Sequence, residues 1–216
     1  AALATVLVAS AVQITPDELT PQIYLPARKG SLQPELIAAV RRQQRLPYVI
    51  PPDPRALLAE VAAGRPVLVM QNLGLSWLPV WHYAVVIGYD PGRDEVVLRS
   101  ATTARKVMPT GLFLRSWRLA QNWALLVLKL HELPAHRDPL PFLQAAAGLE
   151  ATGNFAAALA AYQTALTRWP DDRHARLGEA NSYLGLRQAG LAEDRYRQLL
   201  LIQADDPVAL NNLAEA

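Results

Sequence analysis

The chain contains no cysteine. Within these 216 residues that excludes disulfides, thiolate metal sites and a thiol nucleophile. Histidine is nearly as scarce, with four in all and no His-Glu-x-x-His spacing, so no zinc or other metal site is expected. Neither Gly-x-x-x-x-Gly-Lys nor Gly-x-Gly-x-x-Gly occurs, so no phosphate-cradling loop and no nucleotide cofactor is expected. The net charge is only +2, too small to argue for a nucleic-acid partner. Residues 66–89 carry no charge at all, yet Gln71, Asn72, Pro79 and His82 interrupt the run. A membrane-spanning helix needs about 20 mostly apolar residues, so two buried strands joined by a loop fit better. The opening "AALATVLVASAV" lacks a Met, a basic lead and an N-cap. It reads as a helix entered after its first turn and not as a signal peptide.

What is present is enough to build a core: 51% of residues are hydrophobic and only 19% charged, which excludes disorder by composition. The charge is unevenly divided. Residues 1–138 hold 15 Lys/Arg against 10 Asp/Glu, and residues 139–216 hold 6 against 9. A net of +5 facing a net of −3 marks two parts of different character. In the first part, helices are expected over 2–11, 16–22 (Thr15 and Glu18 forming a capping box), 33–44, and from Asp53-Pro54 to Gly64. "LPYVIP" reads as a short strand. "PVLVMQN" (66–72) and "HYAVVIGYD" (82–90) read as strands buried on both faces. "PGRD" turns the chain back into "EVVLRS" (95–100); a further strand in "ARKVMP", a helix at 110–120 and a last strand at 123–130 complete an α+β layout with a mostly antiparallel sheet. "HELPAHRDPLP" reads as a linker whose His131 and His136 face solvent. "RRQQR" (41–45) reads as a solvated helix end, with contact to an acidic partner as the other possibility.

The last third repeats itself. Residues 139–172 laid on 173–206 bring Ala146 onto Ala180, Ala158 onto Ala192, Tyr162 onto Tyr196, Leu166 onto Leu200 and Asp171-Asp172 onto Asp205-Asp206. This resembles the tetratricopeptide repeat, whose period is about 34 residues. The first copy has Gly153 and Pro170 where the second has Arg187 and Ala204, and "PVALNNLAEA" (207–216) opens a third. The expected division is therefore a domain over 1–131, a linker over 132–138 and repeats over 139–172, 173–206 and 207–216. Arrays of this type recruit protein or peptide partners.

One residue in the first part asks for an explanation. His82 stands at the head of an apolar run, beside Trp77 and Trp81, where a titratable ring is either a satisfied core histidine or half of a catalytic pair. The two tryptophans read as core and rim packing, with a groove wall as the other possibility. "AALATVLVAS" together with "PVLVMQN…WHYAVVIGYD…DEVVLRS" resembles the papain-like peptidases that cleave double-glycine leaders of bacteriocins, and their bacterial peptidase-like relatives. The likeness covers about residues 1–130. It implies a papain-like α+β domain, with His82 as the catalytic base. It also implies a Cys-Gly-Pro and an oxyanion Gln ahead of Ala1, the Cys being the nucleophile. Where the family has an orienting Asp, this chain has Ser100, with Gln71 or Asn72 on the adjacent strand as substitutes; Asp90 lies in the turn. The pairing with tetratricopeptide repeats is similar to a group of uncharacterised proteobacterial proteins, and an export signal ahead of Ala1 would make such a protein periplasmic or membrane-associated. Two functions follow: a cysteine peptidase acting on a peptide or protein, or a peptide-binding module of the same fold without activity.

Overall fold

The computed structural model describes residues 1–216, which divide into two compact units. One comprises residues 1–128 with 134–137, the other 129–133 with 138–216.

The first unit is a six-stranded sheet with helices packed on it. Its helices are α1 (Ala2–Ala9), α2 (Pro16–Ile23), α3 (Gln33–Arg42), α4 (Pro54–Ala62) and α5 (Thr110–Arg118). Its strands are β1 (Leu46–Val49), β2 (Val67–Asn72), β3 (Trp81–Asp90), β4 (Glu95–Ser100), β5 (Thr103–Pro109) and β6 (Ala124–Leu128). The strand order is β1-β6-β2-β3-β4-β5, every neighbour antiparallel. Local chemistry starts the helices. Thr15 accepts the Glu18 N–H while the Glu18 carboxylate accepts the Thr15 N–H at 2.8 Å, the reciprocal pair that satisfies two orphan donors. Asp53 caps α4 through the Arg55 N–H. Strand alternation then chooses the faces. Leu68, Val85, Leu125 and Val127 point to one side and form a dry cluster with Leu3, Val6 and Leu7 of α1, Leu19 of α2 and Leu36 and Val40 of α3.

Four expectations need correction here. β3 is buried on both faces only at Ala84, Val85 and Val86; its ends reach solvent, because it outruns the helices that cover it. Trp77 and Trp81 are not core residues: they are 76% and 55% exposed. The "RRQQR" end is not merely solvated. The Arg45 guanidinium donates to the Ser10 carbonyl at 3.0 and 3.1 Å, supplying a partner for the carboxyl end of α1 that no side chain of α1 provides. Finally, the linker is docked in part. Pro134 is buried, the Ala135 N–H donates to the buried Glu60 carboxylate at 2.7 Å, and that carboxylate is ion-paired with Arg65; His131 is exposed but His136 is half-buried.

The second unit is all helix: α6 (Pro139–Glu150), α7 (Phe155–Arg168), α8 (Arg173–Gly185), α9 (Ala189–Ile202) and α10 (Pro207–Leu213). The first helix of each hairpin recurs every 34 residues, and the caps recur with it. Asp138, Asp172 and Asp206 each accept a backbone N–H of the helix that follows. Close approach is made possible by missing side chains. A Cβ on Gly178 would lie 2.2 Å from the Tyr162 ring, and one on Gly185 would lie 2.4 Å from Phe155. A polar chain ties the hairpins together: Tyr162 O–H donates to Glu150, Asn181 donates to the same carboxylate, and Asn181 accepts from both Tyr196 and Asn212.

Candidate functional site

His82 is the second residue of β3, and three strands set its surroundings. β2 lies directly across, with Gln71 opposite His82. β4 lies on the other side, with Ser100 opposite Ala84. Because directly opposed residues share a face and β positions alternate, His82, Ala84, Gln71 and Ser100 leave the sheet on one side. Tyr83 and Val85 leave it on the side of α1 to α3.

On its own face the imidazole has one hydrogen-bond partner: its Nε2 lies 2.8 Å from the Ser100 Oγ. That contact reaches diagonally across the β3–β4 pair. Gln71 faces the ring in register, but its amide donates to Ser116 of α5 at 2.7 Å, and Ser116 in turn donates to the Phe113 carbonyl. Asn72 turns away from the ring. Its side chain accepts from the Gly74 and Val80 N–H groups and donates to the Leu75 carbonyl, bracing the β2–β3 loop. Asp90 stays in the hairpin turn, where it accepts from Gly92 and Arg93. No carboxylate is therefore bonded to the ring. Instead the charge that acts on it is that of Lys106 of β5. Burial first, and Lys106 second, hold the His82 pKa below its ordinary value. At neutral pH the ring is uncharged. If the Nε2–H donates to Ser100, the free lone pair is on Nδ1 and the ring can accept a proton there.

An open cavity of about 320 Å³ has His82 among its lining residues. Its wall includes Ala1, Ala2 and Thr5 at the amino end of α1, with His82, Tyr83 and Arg99 from the sheet. Alternation places Tyr83 and Arg99 on the α1 side and the His82 side chain on the opposite face. Tyr83 is a shared wall. On its other flank lies a larger cavity of about 690 Å³, lined by Arg28, Lys29, Gln33, Met70 and Trp81 among others. The Tyr83 hydroxyl is pushed up to about 12, by burial and then by Glu35, so it is a hydrogen-bond donor throughout the physiological range. Its ring is held edge-on against Trp123, with centroids 5.9 Å apart.

Tyr83, Arg99 and Lys106 were not singled out by sequence reasoning. Alternation along "HYAVV" carried the signal for Tyr83, since a residue next to a functional one points to the opposite face. The other two depend on the register of β4 and β5, for which the sequence offers no comparable mark. No group of three or more His, Asp or Glu side chains is placed to hold a metal ion. Comparison with protein-family models, with characterised proteins and with solved structures finds no match for this chain.

Proposed function

We propose that the first unit is a papain-like, cysteine-peptidase-type domain acting on a peptide or protein, and that the second is a tetratricopeptide-type array that recruits a protein partner. The observation that carries the first half is the 2.8 Å contact between His82 Nε2 and Ser100 Oγ, His82 being also a lining residue of the cavity bordered by the amino end of α1. It anchors one ring nitrogen and leaves Nδ1 for chemistry. A helix amino terminus is where a thiolate is stabilised by aligned backbone dipoles. In this reading the nucleophile is a Cys on the segment leading into Ala1. His82 takes its proton at Nδ1, the Cys sulfur attacks the substrate carbonyl, and the proton passes to the leaving amine as the acyl-enzyme forms. Ser100 orients the ring, and Gln71 supports β2 beneath it through Ser116. The 34-residue recurrence of capped helices, with Gly178 against Tyr162, supports the second half.

One observation favours a second reading, a peptide-binding module without activity. Ser100 brings no negative charge to hold an imidazolium, and Lys106 opposes one. The test uses the chain expressed with the residues its gene encodes ahead of Ala1, and follows iodoacetamide alkylation against pH. An active pair gives a thiol titrating well below the free value of about 8.5, and His82→Ala raises it. A thiol that titrates like free cysteine, indifferent to His82→Ala, or a Ser, Gly or Ala where Cys is required, leaves the binding module.

A further inference from the structure

The most unusual surface of the first unit is the loop between β2 and β3. Leu73, Leu75, Trp77, Leu78, Val80 and Trp81 are all exposed, from 48% for Leu75 to 76% for Trp77. Six large apolar side chains within nine residues form a concentrated apolar tip, which soluble surfaces seldom carry without a use. Nor is it a floppy excursion. The Leu73 N–H donates to the Val80 carbonyl at 2.9 Å, and Leu75 and Leu78 exchange N–H to carbonyl bonds at 3.0 and 3.2 Å. Asn72 pairs with the Gly74 and Val80 N–H groups and the Leu75 carbonyl from inside the loop. Gly74 is packed so tightly that a Cβ would lie 2.4 Å from the Leu78 carbonyl oxygen. The base of the loop is thus braced from within, while its apolar side chains are turned outward.

We propose that this loop is a membrane-docking tip that seats the first unit on an anionic lipid surface. Trp and Leu are the residue types that partition at the boundary between headgroups and acyl chains. The charges beside the tip select the sign of the surface. No Asp or Glu occurs between Glu60 and Asp90, so the tip brings no carboxylate of its own to repel a phosphate. Arg28 and Lys29, both exposed and in no ion pair, line the cavity they share with Trp81. Two free cations next to an apolar tip match an anionic headgroup layer above acyl chains. No helix of the chain is long and apolar enough to cross a membrane.

Sedimentation of the 216-residue chain with vesicles tests this. The expected result is binding to mixed phosphatidylcholine and phosphatidylglycerol vesicles, weaker by about tenfold or more on phosphatidylcholine alone. The double variant Trp77→Ser, Leu78→Ser, at positions too exposed to disturb the core, should lose about tenfold or more in affinity. Arg28→Gln with Lys29→Gln should remove much of the dependence on anionic lipid and on salt. Absence of binding to the anionic vesicles overturns the proposal. So does binding that the tip variant leaves intact, which would assign it to basic surface elsewhere. A dimer in gel filtration that the tip variant dissociates, with no lipid binding, would overturn it in favour of a second copy of the chain.

Discussion

The two units reach their folds by different routes. In the helical unit, partners are close in sequence: Tyr162 meets Glu150, Gly178 meets Tyr162, and Asn181 meets Tyr196. Caps repeated every 34 positions mark it in the sequence. In the sheet unit the decisive partners are distant. β1 pairs with β6, Leu46 opposite Leu128, and α1 packs on strands that lie some 60 to 125 residues further along. The difference teaches where function can be hidden. A repeat shows its chemistry on its face, because neighbours in space are neighbours in pattern. A sheet assembles its site from residues that nothing local connects.

The strongest way to sharpen this contrast is to strike the core of one unit and watch the other. Trp117 is fully buried, stacked on Phe113, and its indole N–H donates to the Trp123 carbonyl at 2.9 Å. Trp117→Ala should cost the sheet unit about 3–5 kcal/mol, read as a lower urea midpoint. Amide-exchange protection in α7 and α8 should hardly change. Equal loss of protection in both would show that the two do not behave as separate units.

Next in size is a substitution that local propensity favours and packing forbids. Gly178→Ala improves an α-helical position in isolation, yet its methyl meets the Tyr162 ring, which is itself held by Glu150. A net destabilisation of about 1–3 kcal/mol is expected from overpacking. A stabilised variant in thermal unfolding would mean that the hairpins are looser than described.

Acidification should separate the units by pH. Burial holds the His82 pKa below 6.5, so the unfolded chain binds the proton more readily than the folded one. The sheet unit's share of stability from this ring is complete above that value and is lost as pH falls below it. Asp206 is held below 3.8 by the Arg173 guanidinium, so its contribution to the helical unit is complete above 3.8 and disappears only at lower pH. Urea midpoints measured against pH should show the first loss in the sheet unit, and His82→Gln should abolish that loss alone. A helical unit that weakens first would contradict this order.

The smallest effect tests the repeat at its flaw. Arg187 occupies the turn position that Gly153 fills one period earlier, and both have left-handed backbone, φ 60° and 76°. Arg187→Gly should stabilise the helical unit by up to about 1 kcal/mol, the left-handed penalty being partly offset by the glycine's extra unfolded-state entropy. Calorimetry should register a slightly higher midpoint; a lower one would mean that the Arg187 side chain makes a contact worth more than the strain.

Much of this was readable in advance, and the misreadings share a cause. The capping box at Thr15, the Asp53 cap, the hairpin around "PGRD" and the 34-residue period were all legible, because each is a contact between residues a few positions apart or a pattern that recurs. Ser100 was named only through the family resemblance, and the structure puts its Oγ 2.8 Å from His82 Nε2. The exposure of Trp77 and Trp81 was not, since hydrophobicity alone argues for burial and only the missing cover shows otherwise. Arg45 was misjudged for the same reason: the carbonyl of Ser10 that it bonds lies 35 residues away.

The amino-acid sequence by itself determined most of the elements, their caps and the helical repeat, because propensity, capping and periodicity act over one or two turns of chain. Only the tertiary structure decided that Nε2 of His82 meets Ser100, that Tyr83 divides two cavities, and that an apolar loop stands uncovered. Those outcomes depend on which strands pair and in what register. Register is chosen by the burial of whole faces at once and not by any residue alone.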